Sequence, residues 1–170
     1  MRGLTSHRGA VTLVALLTLV VCGVAACASS PKAPPARDLV AKTSVVPDGF
    51  ARLYVYRAGR STLGSLLGGR SLNDVHVDGQ FLGTIEDDRY VMTHLKAGSY
   101  VLTVKVRRAV HLSVDTQGST TVQVEAGRTY YVRVKPSGTW DHPPEFMPVP
   151  PSEGAEALQG CFLASGEHYY

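Results

Sequence analysis

The stretch DVHVDGQFLGTI, Asp74 to Ile85, contains two short alternations of apolar and polar residues separated by Asp-Gly. In the first alternation, Val75 and Val77 are flanked by polar residues. Asp78-Gly79 is typical of two-residue β-hairpin turns, because both turn positions need a positive φ. The stretch therefore predicts two antiparallel strands, each with one buried face.

The same period of two recurs on both sides of this hairpin. Turn signals separate the segments at Ala97-Gly98, Gln117-Gly118 and Ala126-Gly127. About seven or eight short strands with no intervening amphipathic helix predict an all-β fold, a single antiparallel β-sandwich over residues 47–135. The further alternating segments are Ala51–Arg57, Tyr100–Arg107, Val110–Val114, Val122–Val124 and Tyr130–Val134.

Residues 136–170 begin with a proline-rich loop and end in a segment that we expect to dock on the sandwich. Ser152–Leu158 predicts a short helix with its serine as the N-cap and Gly160 near its end. Cys161–Ala164 predicts one more edge strand. Because its neighbours are apolar, we interpret Cys161 as a buried structural residue, while the alternative is an exposed thiol that pairs with another chain.

Residues 1–26 have the composition of a signal peptide. Arg2 and Arg8 precede an apolar run over Ala10–Val21, which is shorter than the about 20 residues that span a bilayer. The run leads to Val24-Ala25-Ala26-Cys27, which resembles the lipobox of bacterial lipoproteins. In that motif small residues precede a cysteine that is acylated and becomes the new N-terminus.

The resemblance implies a lipid on Cys27 that anchors the protein to a membrane. Because Ala28 rather than Asp follows the cysteine, it also implies sorting to the outer membrane, facing the periplasm. Two alternatives stay open: Cys22 as the acylated residue, and an ordinary signal peptide whose cleavage releases a soluble protein.

Residues 27–46, which would follow cleavage, are rich in proline and small side chains and predict a disordered tether. Loss of Arg2 and Arg8 lowers the basic residues from 17 to 15 against 14 acidic ones, a net charge of +1. So small a charge gives no electrostatic basis for nucleic-acid binding. With Cys27 acylated, Cys161 is the one remaining thiol, which excludes an intramolecular disulfide.

Several blocks between Phe50 and Ala164 resemble, in order, a family of bacterial lipoprotein domains of unknown function, family 2846. The blocks are also loosely similar to PEGA-type β-sandwich modules. The resemblance implies a sandwich fold and a surface location, and it implies no reaction. The blocks are Ala51–Arg57, Val75–Gly79, Leu95–Tyr100, Glu125–Arg133, and Glu153–Ala155 through Cys161–Ala164.

The glycine-rich stretch GSLLGGRS, Gly64 to Ser71, has the spacing of a phosphate-binding loop with Arg70 in place of lysine. Such a loop follows a strand directly and opens a helix, whereas this one lies between two predicted strands. We therefore expect no nucleotide. The apolar side chains of this loop are instead candidate contacts for a protein partner, namely Leu63, Leu66 and Leu67.

A second candidate surface is aromatic. Trp140, with Tyr54 and Tyr56, could stack on sugar rings, which makes a module for peptidoglycan or surface glycan the alternative function. The other interpretation of Trp140 is that it packs a proline-rich loop against the core. A basic strip on an outer face would accompany either function, formed by Lys105, Arg107, Arg108, Arg133 and Lys135.

Asp74, His76 and Asp78 alternate on one predicted strand face, where His94 or His111 could complete a metal site. A solvated polar face is the simpler interpretation, and we expect no metal and no cofactor. No Gly-x-Ser-x-Gly motif is present, so we expect no enzyme activity. The sequence thus predicts a lipid-anchored, non-enzymatic envelope protein that acts by contact.

Overall fold

The computed structural model describes residues 35–59, 71–108, 116–135 and 142–164, which form two α-helices and nine β-strands. The helices are α1 (Pro35–Thr43) and α2 (Pro151–Gln159). The strands are β1 (Phe50–Arg57), β2 (Ser71–Val77), β3 (Gln80–Ile85), β4 (Arg89–Lys96), β5 (Gly98–Arg108), β6 (Gln117–Val124), β7 (Thr129–Lys135), β8 (Glu145–Val149) and β9 (Phe162–Leu163).

The strands form two sheets that pack face to face, which confirms the all-β sandwich. The larger sheet has the order β8-β7-β1-β4-β9 and the smaller one β3-β2-β5-β6. Most pairs are antiparallel, but β1 pairs with β7, and β4 with β9, in parallel. The inward residues of both sheets form one apolar core that includes Leu53, Val55, Val75, Val91, Leu102, Val104, Val132 and Val134.

The hairpin that the sequence predicts is present between β2 and β3. Asp78 has φ 47° and Gly79 has φ 82°, so both turn positions lie in the left-handed region as a tight hairpin requires. The carboxylate of Asp78 also accepts a hydrogen bond from the backbone N–H of Val101, at 2.7 Å. This bond ties the turn to the neighbouring strand β5.

Two strands form where the sequence predicts none. The β4 residues from Arg89 to Thr93 are all buried, because this strand is covered on both faces and therefore shows no alternation. Strand β8 lies in the stretch predicted as a proline-rich loop and tolerates Pro148 because it is the last strand of its sheet. The Gln117-Gly118 pair is not a turn, since it opens β6, where Gly118 allows Pro144 to approach closely.

The two helices add a third layer on the outer face of the larger sheet. Helix α2 and the edge strand β9 confirm the predictions for the C-terminal region, except that α2 begins at Pro151, without a side-chain cap from Ser152. The disordered tether predicted for residues 27–46 is wrong over Pro35–Thr43, which form α1. The small and charged side chains of this segment form a helix because it packs against the domain.

Several sequence predictions fall outside the described residues. They are the signal peptide, Cys27, the strand at 110–114, the loop with Leu63, Leu66 and Leu67, and Trp140. Within the described ranges, neither helix is long and apolar enough to cross a membrane.

Candidate functional site: the helix-covered face of the larger sheet

The outer face of the larger sheet is aromatic. Because Leu53 and Val55 point into the core, the alternate β1 residues Tyr54 and Tyr56 point to the opposite face. The ring of Tyr54 stacks on that of Tyr131 from β7, with centroids 5.2 Å apart, and meets Tyr90 from β4 edge to face at 5.7 Å. These rings form a platform on which both helices pack.

Helix α1 is held on this platform by two tyrosine hydroxyl groups. Tyr54 donates to the carbonyl of Ala41 at 2.7 Å, and Tyr90 donates to Asp38 Oδ1 at 2.9 Å. Burial raises the pKa of Tyr54, which keeps its phenol protonated as a donor. The small side chain of Ala41 is buried, so the helix backbone can come close to the rings.

Asp38 connects α1 to the C-terminal segment. Its Oδ1 also accepts the backbone N–H of Leu163 at 2.8 Å, and its Oδ2 lies 3.1 Å from Nζ of Lys42. Partial burial alone would raise the pKa of Asp38, but the hydrogen bonds from Leu163, Lys42 and Tyr90 outweigh it and hold the pKa below its ordinary 3.8. The carboxylate is therefore ionised at neutral pH.

Lys42 makes the second connection between α1 and the C-terminal segment. Its Nζ donates to the carbonyl of Cys161 at 2.7 Å and lies 5.5 Å from the ring centroid of Tyr90 and 5.9 Å from that of Phe162. The ammonium thus has a carboxylate, a carbonyl and two aromatic rings as partners. One turn of α1 supplies both charged groups that bind the C-terminal segment.

Arg52 holds the chain where it leaves α1. Its guanidinium is buried and donates to the backbone carbonyl of Ser44 and, at 2.8 Å, to the Ser44 hydroxyl oxygen. Its Nε donates to Nε2 of His94 at 3.3 Å. Burial and the neighbouring Arg52 charge both lower the pKa of His94, which keeps the imidazole neutral as an acceptor.

Helix α2 covers the other end of the platform. Gly154 lies directly on the ring of Tyr131, so close that a Cβ at this position would overlap the tyrosine. Leu158 and Cys161 are buried beside Tyr56, which confirms the predicted burial of Cys161. Burial, followed by the charge of Asp88, raises the pKa of the Cys161 thiol to about 11.

Two segments of the same chain cover this face, and its polar groups hold them in place. Burial raises the pKa of Tyr54, Tyr56, Tyr131 and Cys161, so these groups remain protonated at neutral pH. The charged groups of Asp38, Lys42 and Arg52 are engaged with one another, with backbone or with the Ser44 hydroxyl. A thiol with a raised pKa is a poor nucleophile, because the thiolate is the reactive form. What the arrangement does is join residues 35–44 to residues 161–163.

The aromatic contact site predicted from the sequence is wrong for two of its members. Tyr54 is 2% exposed and Tyr56 is 1% exposed, because the helices cover them, so neither can stack on a sugar in this structure. The other predicted contact residues lie outside the described ranges, and so does the predicted lipid attachment site. They are Trp140, Leu63, Leu66, Leu67 and Cys27.

The basic strip is also wrong, because its members belong to two different sheets. Lys105 and Arg107 lie on the smaller sheet and Lys135 on the larger one, on opposite sides of the sandwich. Arg107 Nε lies 2.6 Å from Asp74 Oδ2, and Lys135 forms a long ion pair of 3.8 Å with Glu145. Lys105 and Arg107 therefore share no continuous surface with Lys135.

The side chains considered for a metal site are distributed among other contacts. Asp74 binds Arg107 and Thr84, and Asp78 belongs to the hairpin turn. The ring of His76 packs edge to face on Phe81 at 5.6 Å, and His94 accepts from Arg52. In the described part of the chain, no three His, Cys, Asp or Glu side chains lie close enough to hold one ion.

The sequence predicted no role for Asp38, Lys42 or Arg52. A signal for the first two was present, because Pro35 suits the first turn of a helix, Asp38 its N-terminal part and Lys42 its last turn. Residues 27–46 were interpreted as a disordered tether because of their prolines and small side chains, so this helix signal was not used. For Arg52 the sequence offered only a charged residue at a strand position that could equally face solvent.

The fold and this site define a β-sandwich whose larger sheet is covered by helices from both ends of the described chain. The chain belongs to a family described as protein of unknown function (DUF2846), whose sequence model matches residues 47–143. The match confirms the resemblance over those residues, while α1, β8, α2 and β9 lie outside it. Searches of curated proteins and of solved structures found no match.

Proposed function

We propose that this chain is a lipid-anchored protein of the bacterial cell envelope whose sandwich is a non-enzymatic structural or protein-interaction module. The observation that carries the proposal is the sequence Val24-Ala25-Ala26-Cys27 after a short apolar run with two preceding arginines. Acylation of Cys27 would place two or three lipid chains at the new N-terminus. Several acyl chains together anchor a protein stably to a membrane, whereas a single acyl chain binds only weakly.

The attachment of α1 to the sandwich supports an anchoring role for the N-terminal segment. A tether that only needed to be flexible would require no contacts with the domain, yet residues 38–44 bind through Asp38, Ala41, Lys42 and Ser44. Because these contacts are distributed over two turns, a pull on the N-terminus would be transmitted to the larger sheet. The domain would thus be attached to its anchor through α1.

Interaction rather than catalysis fits the polar groups of the helix-covered face. The charged groups of Asp38, Lys42 and Arg52 there each have a structural partner, and the pKa of Cys161 is shifted away from the range of a catalytic thiol. The burial of Tyr54 and Tyr56 removes two of the three aromatic residues considered for glycan stacking. We therefore favour a protein partner in the envelope, facing the periplasm from the outer membrane.

Metabolic labelling with a fatty-acid analogue tests the anchor. Wild type should be labelled and should fractionate with the outer membrane, whereas Cys27→Ser should be unlabelled and either uncleaved or released from the membrane. Cys22→Ser is the matched control, because it changes the rival cysteine of the signal region, and it should behave as wild type. Equal labelling of wild type and Cys27→Ser would disprove acylation at Cys27.

A further inference from the structure

The orientation of α1 is unusual for a surface helix. Its charged residues Asp38 and Lys42 face the domain, whereas Leu39 and Val40 are each 62% exposed. A surface helix usually has the opposite arrangement, with apolar side chains inward and charges in solvent. Val45, which follows the helix, is also exposed, so the apolar surface continues past its end.

The contacts of the helix fix this orientation. Asp38, Ala41 and Lys42 have the spacing of one helical stripe, and all three contact the platform or the C-terminal segment. Leu39 and Val40 must therefore project to the flanks and away from the domain. The hydroxyl of Thr43 donates to the carbonyl of Leu39 at 2.8 Å, so this neighbouring polar group already has a partner.

The short chain between Cys27 and Pro35 limits how far this surface can be from an anchor. Eight residue steps at no more than about 3.6 Å each span at most about 29 Å. A compact domain of about 130 residues has a radius of gyration of about 14 Å, which for a sphere corresponds to a diameter of about 36 Å, so the domain is wider than that reach. The end of the domain that carries α1 therefore stays within about 29 Å of the membrane to which Cys27 is attached and cannot be the end farthest from it.

We propose that in the lipidated protein the outward surface of α1, formed by Leu39, Val40 and Val45, lies against the lipid bilayer. This inference rests on the proposed acylation of Cys27 and adds the surface that contacts the membrane. A helix can lie in the interface with its apolar side chains among the headgroups, and the exposed Arg37 beside them would favour anionic lipids. The surface is small, so the acyl chains supply the binding and α1 sets the orientation.

The proposed orientation turns the smaller sheet away from the membrane. Helix α1 packs on the larger sheet, and the outer face of the smaller sheet is on the opposite side of the sandwich. Val101 lies on that outer face and is 47% exposed. It is therefore a matched control for Leu39 and Val40: also an exposed aliphatic side chain, but on the side expected to face the periplasm.

Site-directed spin labelling of the full-length acylated protein tests the proposal. Leu39→Cys, Val40→Cys and Val101→Cys are labelled without denaturant, with wild type as the blank because Cys161 is buried. Each protein is reconstituted into vesicles of phosphatidylcholine and phosphatidylglycerol. Labels at 39 and 40 should lose most of their collisions with an aqueous nickel complex and gain collisions with oxygen, while the label at 101 should keep its aqueous access.

Mass spectrometry of the N-terminal peptide separates the two proposals. If Cys27 is acylated but labels at 39 and 40 remain as accessible to nickel as the label at 101, the anchor stands and the membrane contact is refuted. If labels at 39 and 40 are protected in native envelopes but not in pure lipid vesicles, the surface binds a protein instead, which also refutes it. Without acylation of Cys27, both proposals fail.

Discussion

Asp38 is the side chain through which the two ends of the described chain meet. Its carboxylate accepts hydrogen bonds from the backbone N–H of Leu163 and from the hydroxyl of Tyr90 on β4. It also forms an ion pair with Lys42, one helical turn later in α1. A group with three partners of this kind contributes more than an exposed ion pair, because two of the three are hydrogen bonds to a charged acceptor. Its contribution should therefore depend on pH.

Asp38→Asn should lower the free energy of unfolding by about 1 kcal/mol at pH 7, because the amide cannot pair with Lys42 and accepts hydrogen bonds more weakly. The pKa of Asp38 is lower in the folded chain than its ordinary 3.8, so the ionised carboxylate stabilises the fold above that pH. As the pH falls through the folded pKa, wild type should lose this advantage. Urea unfolding at pH 7 and below pH 3.8 would measure it, with exposed Asp48→Asn as control. A pH-independent difference would contradict the role of the charge.

Cys161 should react slowly with iodoacetamide in the folded protein at pH 7.5. The thiol is buried and its pKa is raised to about 11, so both access and thiolate population oppose alkylation. Denaturant should restore rapid labelling, and non-reducing electrophoresis should show a monomer. A dimer band that reductant removes and Cys161→Ser abolishes would show pairing between chains instead.

Helix α2 depends on a glycine in its middle, where glycine is normally unfavourable. Alanine in place of a helical glycine usually stabilises a helix by about 0.5–1 kcal/mol. At Gly154 the sign should reverse, because the added methyl would overlap the Tyr131 ring. We expect Gly154→Ala to destabilise the domain by about 1–3 kcal/mol, measured by chemical denaturation.

Gly160→Ala is the control for that substitution. The nearest atom to a Cβ at this position is the carbonyl oxygen of Ala157, at 3.8 Å, and Gly160 has φ −84°, which any residue adopts. This variant should therefore be as stable as wild type. If Gly154→Ala were equally harmless, α2 would not pack on Tyr131 as described.

The predictability of each strand followed from how its faces are covered. The β2–β3 hairpin alternates and has a strong turn pair, so its strands could be predicted from the sequence alone. Strand β4 lies between two covered faces and shows no period of two, and β8 contains a proline that only an edge position tolerates. Helix α1 has its charges inward, which is the reverse of the pattern used to recognise a surface helix.

The candidate site was less predictable than the sandwich, because it depends on which segments cover the larger sheet. Tyr54 and Tyr56 alternate with Leu53 and Val55 and lie on the face opposite the core, as the period of two along Ala51–Arg57 requires. Whether this face meets solvent, a ligand or another segment of the chain is decided by contacts from residues 35–44 and 151–163. Those contacts join positions more than 100 residues apart, such as Asp38 with Leu163, and no local pattern encodes them.

The domain should lose stability, but not its fold, when α1 is removed. A chain that begins at Val46 keeps the sandwich core, but it uncovers Tyr54 and Tyr90 and deprives Arg52 of Ser44. Exposing on the order of 100 Å² of ring surface would cost about 2.5 kcal/mol. We therefore expect a lower denaturation midpoint than for a chain that begins at Lys32, with similar β-type circular dichroism.

Leu39→Ser with Val40→Ser in the longer chain is the control and should not shift the midpoint, because both side chains point away from the domain. Equal midpoints for the two chain lengths would show that α1 does not contribute to the folded domain.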